Sequence, residues 1–588
     1  MTISDDPNKE RFILIDAEPY DVVGTATTHK YFGTRAFITE PADTPASVDF
    51  QDYIDKNGAF TITRSIYSSS KIGGRSFPSA GAIKLINPLA PDDAAGDLDT
   101  WIDDAALTWD GRDFTAYMLE IGDDWADRTQ IFKGVFEDLN WSRDNLFFTV
   151  KDRQHLLDKL IQSAFYTGAG GNEGGAELEG KPKPLAFGRL FNISAVMVNF
   201  ATFLMQVHHG TIEEISEIRD KGVPLITTGT ASAGAAGSIT LNAASTSGYE
   251  AIDPNTLGNG YYTGCQVSIT SGTGSGQTRT ASGFTAATRV LTVSSNWTTP
   301  PDATSVYRVE EWTEDLANGR FTLLAKPDGL VTCDVKGSTL SGTYSGKCGD
   351  LMSYIVQTYG GFASGDVDSA SITALNTTNS AEVGYYTYIN PTNILDCLDF
   401  LADSIGAFFG TNRSGDFFVG RFEAPATSSL DIAMADIRKD SIDREQFYAP
   451  VWRTIYNYRK NWSPQDPSSL ATSVPADKQA LYAKEYLTTQ TSTAAVQTKH
   501  KGAVELVLYS GMYDDTAADT ERDRLHALYG VRRSIFTFET FVLPFSIDLN
   551  ATINVTHDRL GLAAGEDMVV VQTEEDGLSG LVKVRAFA

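Results

Sequence analysis

Short apolar or alternating runs, separated by clusters of turn residues, recur along most of this 588-residue chain. Such runs are typical of β-strands, and the Gly, Pro, Asp and Ser clusters between them are typical of turns. The clearest early runs are RFILIDAEPY, GAIKLINP and RDFTAYMLEIG. The chain is too long for one hydrophobic core, because domains usually have about 100–200 residues. The pattern therefore predicts a mainly β protein with several domains.

The net charge of the chain limits the kinds of molecule that it is expected to bind. The chain has 47 Lys and Arg against 75 Asp and Glu, which gives a formal net charge of −28. Binding to a DNA backbone depends on cations that displace counterions, so sequence recognition of DNA or RNA is not expected. No apolar run reaches the ~20 residues of a membrane-spanning helix, and we expect no secretory signal. The four cysteines lie far apart, which predicts buried free thiols.

Residues 1–165 are predicted to form an N-terminal β-barrel-like domain that a short helix closes. The runs IFKGVFEDLNW and NLFFTVKDR predict a hairpin with its turn at 143–145. The helix is expected in DRQHLLDKLIQ, because its apolar residues would share one face. These residues are Leu156, Leu157, Leu160 and Ile161.

Residues 166–227 are predicted to be a connecting segment. It begins with a Gly- and Pro-rich surface loop over 168–188. Strands are expected over 195–201 and in LMQVHH, and a helix is expected in GTIEEISEIRDKG.

Residues 228–310 have a different composition, with no lysine and much Gly, Ser, Thr and Ala. The sequence on either side reads as two halves of one interrupted hairpin, and the second half is expected to be two strands with a turn at Pro327–Gly329. We therefore predict a self-contained, β-sandwich-like module inserted at a turn of the host domain. Such an insertion costs little, because the entropy of loop closure grows slowly with length.

An α+β centre is predicted for 311–427 and a second β-barrel-like domain for 428–588. Helices are expected in DLMSYIVQTYG and in NPTNILDCLDFLADSIGAFFG, the second with Asn390 as its N-cap. The next run predicts a hairpin with its turn at Asn412–Gly415. The C-terminal part is expected to be β with one helix, AADTERDRLHALYG.

Four motifs suggest chemistry but depart from the patterns that the chemistry needs. Gly175–Pro182 has the spacing of a phosphate-binding loop, but Pro182 stands where a magnesium ligand is required. Gly272–Gln277 lies among strands without a following helix, so a β-turn is expected. His208 and His209 are adjacent and would face opposite sides of a strand. The aspartates of PDDAAGDLDTWIDDA contain only a fragment of a calcium loop. We predict no catalytic residue, no metal site and no cofactor.

The inserted module contains three aromatic residues that could contact a glycan: Tyr261, Tyr262 and Trp297. Exposed aromatic rings stack on sugars. Aromatic residues in strands also pack in cores, and the sequence leaves both interpretations open.

Several segments, taken in order, resemble tail proteins of siphophages, prophages and gene transfer agents. They are FGTRAFITEPADTPASVDFQDYI, GAIKLIN…LD…DGRDF, LLDKLIQSAFYTGAGGNEGGAELEGKPKPLAFGRLFNI, DLANGRFTLLAKPDGLVTCDVKG, IYNYRKNW and ATINVTHDRLGLAAGEDMVVV. The resemblance covers most of the chain outside 228–310. That stretch resembles small β-modules that decorate phage tail and baseplate proteins.

The resemblance implies a tail-tip or baseplate hub protein with tail-tube-like β-barrels and no enzymatic activity. It implies a homo-oligomer, expected as a trimer, that contacts the distal tail protein, the tape measure protein and the central fibre or receptor-binding proteins. Genomic DNA would pass without sequence recognition during ejection. The expected location is the virion, after assembly in the host cytoplasm. The alternative function is a receptor- or glycan-binding tail protein that uses the module as adhesin. An envelope-degrading enzyme is the third hypothesis.

Overall fold

The computed structural model describes residues 9–56, 61–68, 71–76, 79–87, 98–102, 105–142, 144–542, 545–576 and 578–588. Most of its regular structure is β. Six α-helices lie in the centre and the C-terminal part of this described chain.

The first region contributes sixteen strands. They are Arg11–Ala17 (β1), Tyr20–Asp21 (β2), Ala26–Thr27 (β3), Lys30–Gly33 (β4), Phe37–Ile38 (β5), Asp49–Asp52 (β6), Thr61–Ser65 (β7), Tyr67–Ser68 (β8), Lys71–Ile72 (β9), Gly74–Arg75 (β10), Ser79–Ala80 (β11), Ile83–Ile86 (β12), Leu107–Thr108 (β13), Asp113–Glu120 (β14), Thr129–Trp141 (β15) and Asn145–Asp152 (β16).

Half of these strands form a closed β-barrel. Eight of them make one sheet in the order β12-β16-β15-β14-β1-β4-β6-β5. Ile54, just after β6, pairs with Leu85 of β12, and the Asp55 N–H donates to the Lys84 carbonyl at 2.9 Å. These bonds join the two ends of the sheet. The interior is packed with apolar side chains, among them the stacked rings of Phe114 and Phe136. The barrel is therefore a filled core rather than a pore.

The predicted hairpin is confirmed, because β15 and β16 pair antiparallel. The predicted helix after it is wrong. Only a 3₁₀ turn forms, at Arg153–Leu157. The Ile161 N–H donates to the Thr392 carbonyl and Leu160 pairs with Asn393, so pairing with a distant segment replaces helical bonds. Leu157 and Ile161 are buried as expected, but Leu160 is exposed.

The connecting segment supplies Leu185–Ser194 (β17), Val196–Asn199 (β18), Leu204–Gln206 (β19), Ile212–Asp220 (β20) and Val223–Pro224 (β21). The predicted loop is irregular up to residue 184, and its last residues already belong to β17. The predicted helix in GTIEEISEIRDKG is wrong, because this segment is strand β20. Its isoleucines recur every three residues, which suggested a helix. A β-bulge between Ile215 and Glu217 instead returns Ile218 to the buried face of a strand.

The inserted stretch forms its own nine-stranded sheet, in the order β23-β24-β29-β28-β27-β30-β22-β25-β26. The strands are Ile226–Thr230 (β22), Ala233–Ala235 (β23), Ser238–Thr240 (β24), Ser245–Ser247 (β25), Glu250–Ile252 (β26), Gln266–Ser271 (β27), Thr278–Thr285 (β28), Val290–Val293 (β29) and Val306–Glu310 (β30). Its apolar side chains form a separate core. The first strand, β22, pairs with the last, β30, so the chain enters and leaves this sheet side by side.

Three strands follow: Trp312–Asp315 (β31), Arg320–Leu323 (β32) and Val331–Ser338 (β33). The predicted hairpin around Pro327–Gly329 is wrong. β32 pairs with β31 and β19, whereas β33 pairs with β17 and β20. The Pro-Asp-Gly segment therefore connects two sheets, and the N–H groups of Asp328 and Gly329 donate to the Asp220 carboxylate.

The centre contains Cys348–Ile355 (α1), Ser369–Thr378 (α2), Gly384–Thr387 (β34), Ile394–Asp403 (α3), Ala407–Thr411 (β35) and Phe417–Arg421 (β36). The two predicted helices and the hairpin turn are confirmed. The predicted cap Asn390 is wrong, because Asn393 caps α3 by accepting the Leu395 N–H at 2.8 Å. Asn390 lies farther upstream, in a segment that Gln162 holds by hydrogen bonds.

The C-terminal region contains Leu430–Ile432 (β37), Asp443–Tyr448 (β38), Val451–Tyr458 (β39), Ala476–Ala483 (α4), Leu487–Ser492 (β40), Ala494–Lys499 (α5), Val504–Tyr509 (β41), Asp515–Tyr529 (α6), Arg533–Thr540 (β42), Thr552–Val555 (β43), Glu566–Asp576 (β44) and Val582–Phe587 (β45). The sequence β37-β43-β44-β45-β42 is continuous in hydrogen bonding. Ile437 pairs with Thr540, so the segment after β37 returns to β42 and closes a second barrel. Its core is apolar.

The predicted fold class is confirmed: the chain is mainly β and multidomain, with β-barrels and an α+β centre. The division at 1–165, 166–227, 228–310, 311–427 and 428–588 stays a prediction. Two strands of the first range, β7 and β11, extend the sheet of the C-terminal barrel through β44, and β10 pairs with β35 of the centre. The sheets therefore cross the predicted boundaries.

Candidate assembly surfaces

The predicted glycan-contact residues do not form an exposed platform. Tyr262 is 0% exposed and Trp297 is 3% exposed, both within the core of the inserted sheet. Tyr261 is half-buried, and its hydroxyl donates to Glu311 at 3.2 Å. The exposure assumed for Tyr262 and Trp297 is thus wrong, because their rings complete a small core that has few other large side chains. Glycan contact stays a prediction only for Tyr261.

A polar cluster lies where the inserted sheet meets the rest of the chain. Glu311 accepts hydrogen bonds from the hydroxyls of Thr227 and Ser247, each at 2.7 Å. Its neighbour Glu310 is 7% exposed and accepts from Arg308 through Oε1. Within the described residues, Glu310 Oε2 is buried without a hydrogen-bond donor. Burial is the main reason why the pKa of Glu310 rises to about 7. The charge at this junction therefore depends on pH.

Ion pairs made by buried arginines join three distant segments of the chain. Arg413, in the turn between β35 and β36, makes a bidentate pair with Glu575 of β44 at 2.5 and 2.9 Å. Arg64 of β7 lies beside this pair and donates to Asp548 at 2.9 Å. The Glu575 side chain is 1% exposed. Removal of one partner of such a pair leaves an uncompensated buried charge. These residues therefore fix the first region, the centre and the C-terminal barrel relative to one another.

A second set of ion pairs holds helix α6 on the centre. Arg524 of α6 pairs with Glu423 at 3.1 Å and with Glu521 at 2.6 Å. Arg421 of β36 also pairs with Glu521, which is buried. Neither set was predicted from the sequence, because, apart from the Arg524–Glu521 pair within α6, each pair joins residues that are close only in the fold. Arg413 lies within the predicted hairpin turn, and Glu521 and Arg524 lie within the predicted helix AADTERDRLHALYG.

Three of the four chemical motifs are structural elements. Gly175–Pro182 is an irregular loop without a following helix, and Gly272–Gln277 is the turn between β27 and β28. His208 is buried, its Nδ1 accepts the Ala186 N–H at 2.9 Å, and burial lowers its pKa to about 3. Asp92, Asp93, Asp97, Asp103 and Asp104 lie outside the described residues.

All four cysteines, Cys265, Cys333, Cys348 and Cys397, are free and buried, as predicted. Among the described residues, no group of three or more His, Cys, Asp and Glu side chains is placed to hold a metal ion. None of the helices described has the length and apolarity needed to cross a membrane.

An apolar cavity of about 550 Å³ opens beside strand β41. Its walls come from β41, from helix α6 and from the segments around Ala407 and Tyr448. Val504, Val507 and Tyr509 of β41 remain exposed at this cavity. Exposed apolar side chains next to a strand edge are typical of surfaces that contact another polypeptide. The run VELVLY suggests a strand, but only the fold shows that its second edge is free.

No protein-family model matches the chain, and no curated protein matches it. Among solved structures, the chain is similar to the 43 kDa tail protein of prophage MuSo2 from Shewanella oneidensis, with 9% identity, a TM-score of 0.35 and 98% of each chain covered. It is also similar to a chain of the virion of a native gene transfer agent particle, with 11% identity, a TM-score of 0.34, and 74% of this chain and 92% of that one covered. A third similar structure is the tail protein of Neisseria meningitidis MC58, with 8% identity, a TM-score of 0.33, and 92% and 93% covered. By their printed names, these solved structures are a prophage tail protein, a gene transfer agent virion and a tail protein.

Proposed function

We propose that this chain is a structural component of a bacteriophage tail. Its position would be the tail tip or baseplate hub, where it joins the distal end of the tail tube to the central fibre or receptor-binding apparatus. The sequence resemblance suggests this role. The observation that supports it most is the set of apolar side chains left exposed on strand β41, combined with the Arg413–Glu575 ion pair that joins the centre to the C-terminal barrel. A subunit of a larger assembly needs both properties.

A channel for DNA would have to form between copies, because the N-terminal barrel is filled by its own side chains. We propose a homo-oligomer around the tail axis, with three copies as the resemblance implies. A net charge of −28 would repel DNA phosphates, so the genome could pass without adhering. The partners would be the distal tail protein, the tape measure protein and the fibre or receptor-binding proteins. The protein would assemble in the host cytoplasm and would act without catalysis.

The alternative function, glycan binding by the inserted module, has less support. It depended on three exposed aromatic rings, and two of them are core residues. We therefore retain the structural role as the proposed function.

Deletion of the gene tests the proposal. We expect particles that lack a complete tail tip and that do not infect, with full recovery when the gene is supplied in trans. Immunogold labelling of complemented particles should mark one end of the tail. Intact, infective tails in the deletion strain would contradict the proposal, and so would label on the capsid alone.

A further inference from the structure

The apolar cavity beside β41 has a buried floor and an exposed rim. Ala407, Phe422 and Leu528 line it and are between 1% and 3% exposed. Val504 and Val507 also line it, and both are nearly half exposed. Protein interiors are close-packed, so an apolar cavity of about 550 Å³ is unusual unless a ligand fills it. This volume lies within the range of about 300–1,000 Å³ that is typical of sites for small molecules.

The wall of the cavity contains two charged residues, Asp403 and Arg524. Arg524 is already paired with Glu423 and with Glu521, so its charge is offset. A carboxylate or a phosphate inside the cavity would lose its hydration without gaining a free cation, which is costly. The part of a ligand that enters the cavity is therefore expected to be an uncharged hydrocarbon.

An arginine without an ion pair lies directly beside the cavity. The Arg533 Nε–H donates to the carbonyl of Leu528, a cavity residue, at 2.8 Å. Arg533 also pairs across strands β42 and β38 with Tyr448, a second cavity residue. Within the described chain, neither Arg533 nor its exposed neighbour Arg532 forms an ion pair. Glu566 acts on Arg533 only through longer-range electrostatic attraction.

Arg532 is held in place by an aromatic ring. Its guanidinium lies 4.1 Å from the centroid of the Phe447 ring, which is itself half exposed. Stacking restricts the guanidinium but leaves its N–H donors free for an anion. Arginine binds carboxylates and phosphates through two parallel hydrogen bonds. Arg532 and Arg533 therefore offer a preorganised site for an anionic group beside the apolar cavity.

We propose that the cavity binds an amphiphile with one alkyl chain and an anionic head group. The alkyl chain would occupy the cavity, and the carboxylate or phosphate would bind Arg533 and Arg532. A free fatty acid and an anionic phospholipid share this chemistry, and two kinds of probe separate them. The inference does not depend on the proposed tail function, because the purified chain would bind such a molecule whether or not it belongs to a tail.

Dodecanoate, titrated into the purified full chain by isothermal calorimetry, is the first probe. We expect saturable binding of one molecule per chain. Decanoate, which has two methylenes fewer, should bind roughly tenfold more weakly, because each buried methylene changes the binding constant about fourfold. Dodecyltrimethylammonium has the same alkyl chain and the opposite charge, and should also bind more weakly. No saturable binding of dodecanoate, or equal binding of decanoate, would overturn the proposal.

A449W tests the cavity itself. Ala449 lines the cavity and is exposed, so a tryptophan there should fill the space without disturbing the core. The dissociation constant of dodecanoate should rise tenfold or more. The control, A374W, places a tryptophan at an exposed alanine of helix α2 and should bind like the wild type.

The thermal midpoint of each variant checks that it is folded. If A449W does not fold, V504W at the rim of the cavity takes its place, with the same expected loss of binding. Dodecanoate binding that is equal in the folded cavity variant and in the wild type would overturn the site.

R533Q tests the head-group site. Glutamine can still donate to the Leu528 carbonyl but has no charge, so the dissociation constant of dodecanoate should rise roughly tenfold, whereas that of dodecanol should not change. The control is R279Q. Arg279 also stacks on an aromatic ring and donates to a backbone carbonyl, but it lies in the inserted sheet. Equal binding of dodecanoate by the two variants would overturn the assignment of the head group to Arg533.

Flotation of the chain with vesicles of phosphatidylglycerol separates the two sources of the amphiphile. Binding to the vesicles that is lost in A449W and in R533Q would support a membrane phospholipid as the ligand. A chain that binds dodecanoate and stays free of the vesicles would support a fatty acid in solution. Binding to the vesicles that persists unchanged in both variants would overturn the phospholipid as the ligand of this cavity.

Discussion

Buried charged side chains connect distant segments of this molecule and stabilise its fold. Glu575 is the clearest case, because it neutralises Arg413 at close range and lies near Arg64. The three side chains come from parts of the sequence that are more than 150 residues apart. The buried Glu575 carboxylate therefore connects the centre of the chain to the C-terminal barrel and is not a surface charge.

We predict that E575A destabilises the protein by about 3–5 kcal/mol, because Arg413 would lose its main buried counter-charge. Urea unfolding followed by tryptophan fluorescence measures the change. The control is E505A, which removes a half-exposed partner of Arg453 and should cost less than about 1 kcal/mol. Equal losses of stability in E575A and E505A would contradict the claim that the buried Glu575–Arg413 pair stabilises the protein more than a half-exposed pair does.

The buried Glu310 predicts a specific dependence of stability on pH. Burial raises the pKa of Glu310 to about 7 from its ordinary value of 4.5, so the folded state holds the proton more tightly than the unfolded state. The contribution of protonated Glu310 to the free energy of unfolding is complete below about pH 4.5. It declines as the pH rises through about 7 and is absent at higher pH. The total is about 3 kcal/mol.

The free energy of unfolding of the wild type and of E310Q, measured from pH 4.5 to 8, gives the test. The difference in the free energy of unfolding between the wild type and E310Q should change between about pH 4.5 and 7 and become constant at higher pH. E423Q is the control, since Glu423 is substantially exposed. A pH-independent difference between the wild type and E310Q would show that Glu310 is not the responsible group.

At the scale of elements, only one of two candidate asparagines is the N-cap of helix α3. The sequence contains two asparagines ahead of the helix, and only Asn393 is in position to accept the Leu395 N–H. We predict that N393A lowers stability by about 1 kcal/mol, whereas N390A has almost no effect because only the backbone carbonyl of Asn390 is used. Thermal unfolding of both variants decides this, and a larger loss for N390A would contradict the assignment.

The elements also show how far sequence alone could predict the fold. Strands with a regular alternation, such as β14 and β45, and helices with a clear apolar face, such as α3, were predicted correctly. Strand β20 was not, because its bulge gives isoleucines a spacing that is typical of helices. The helix predicted after β16 does not form, because this segment pairs with residues near 392. The free edge of β41 could not be predicted, since strand order is set by tertiary contacts.

At the scale of the whole molecule, the inserted sheet is separable from its host. Its core residues form one cluster, and its first and last strands lie side by side. We predict that replacement of residues 228–310 by two glycines leaves the remaining protein folded, with a thermal midpoint within a few degrees of the wild type, because the host core stays intact. Circular dichroism and calorimetry measure this. An unfolded or aggregated product would show that the module supports the host.

The central claim is that this chain builds a phage tail, and a density map of intact particles tests it most directly. The account predicts copies of the chain at the distal end of the tail, arranged around its axis, with both filled barrels fitted and the channel between copies. A map in which the tail end contains no density for these barrels, in particles that carry the intact gene, would contradict it.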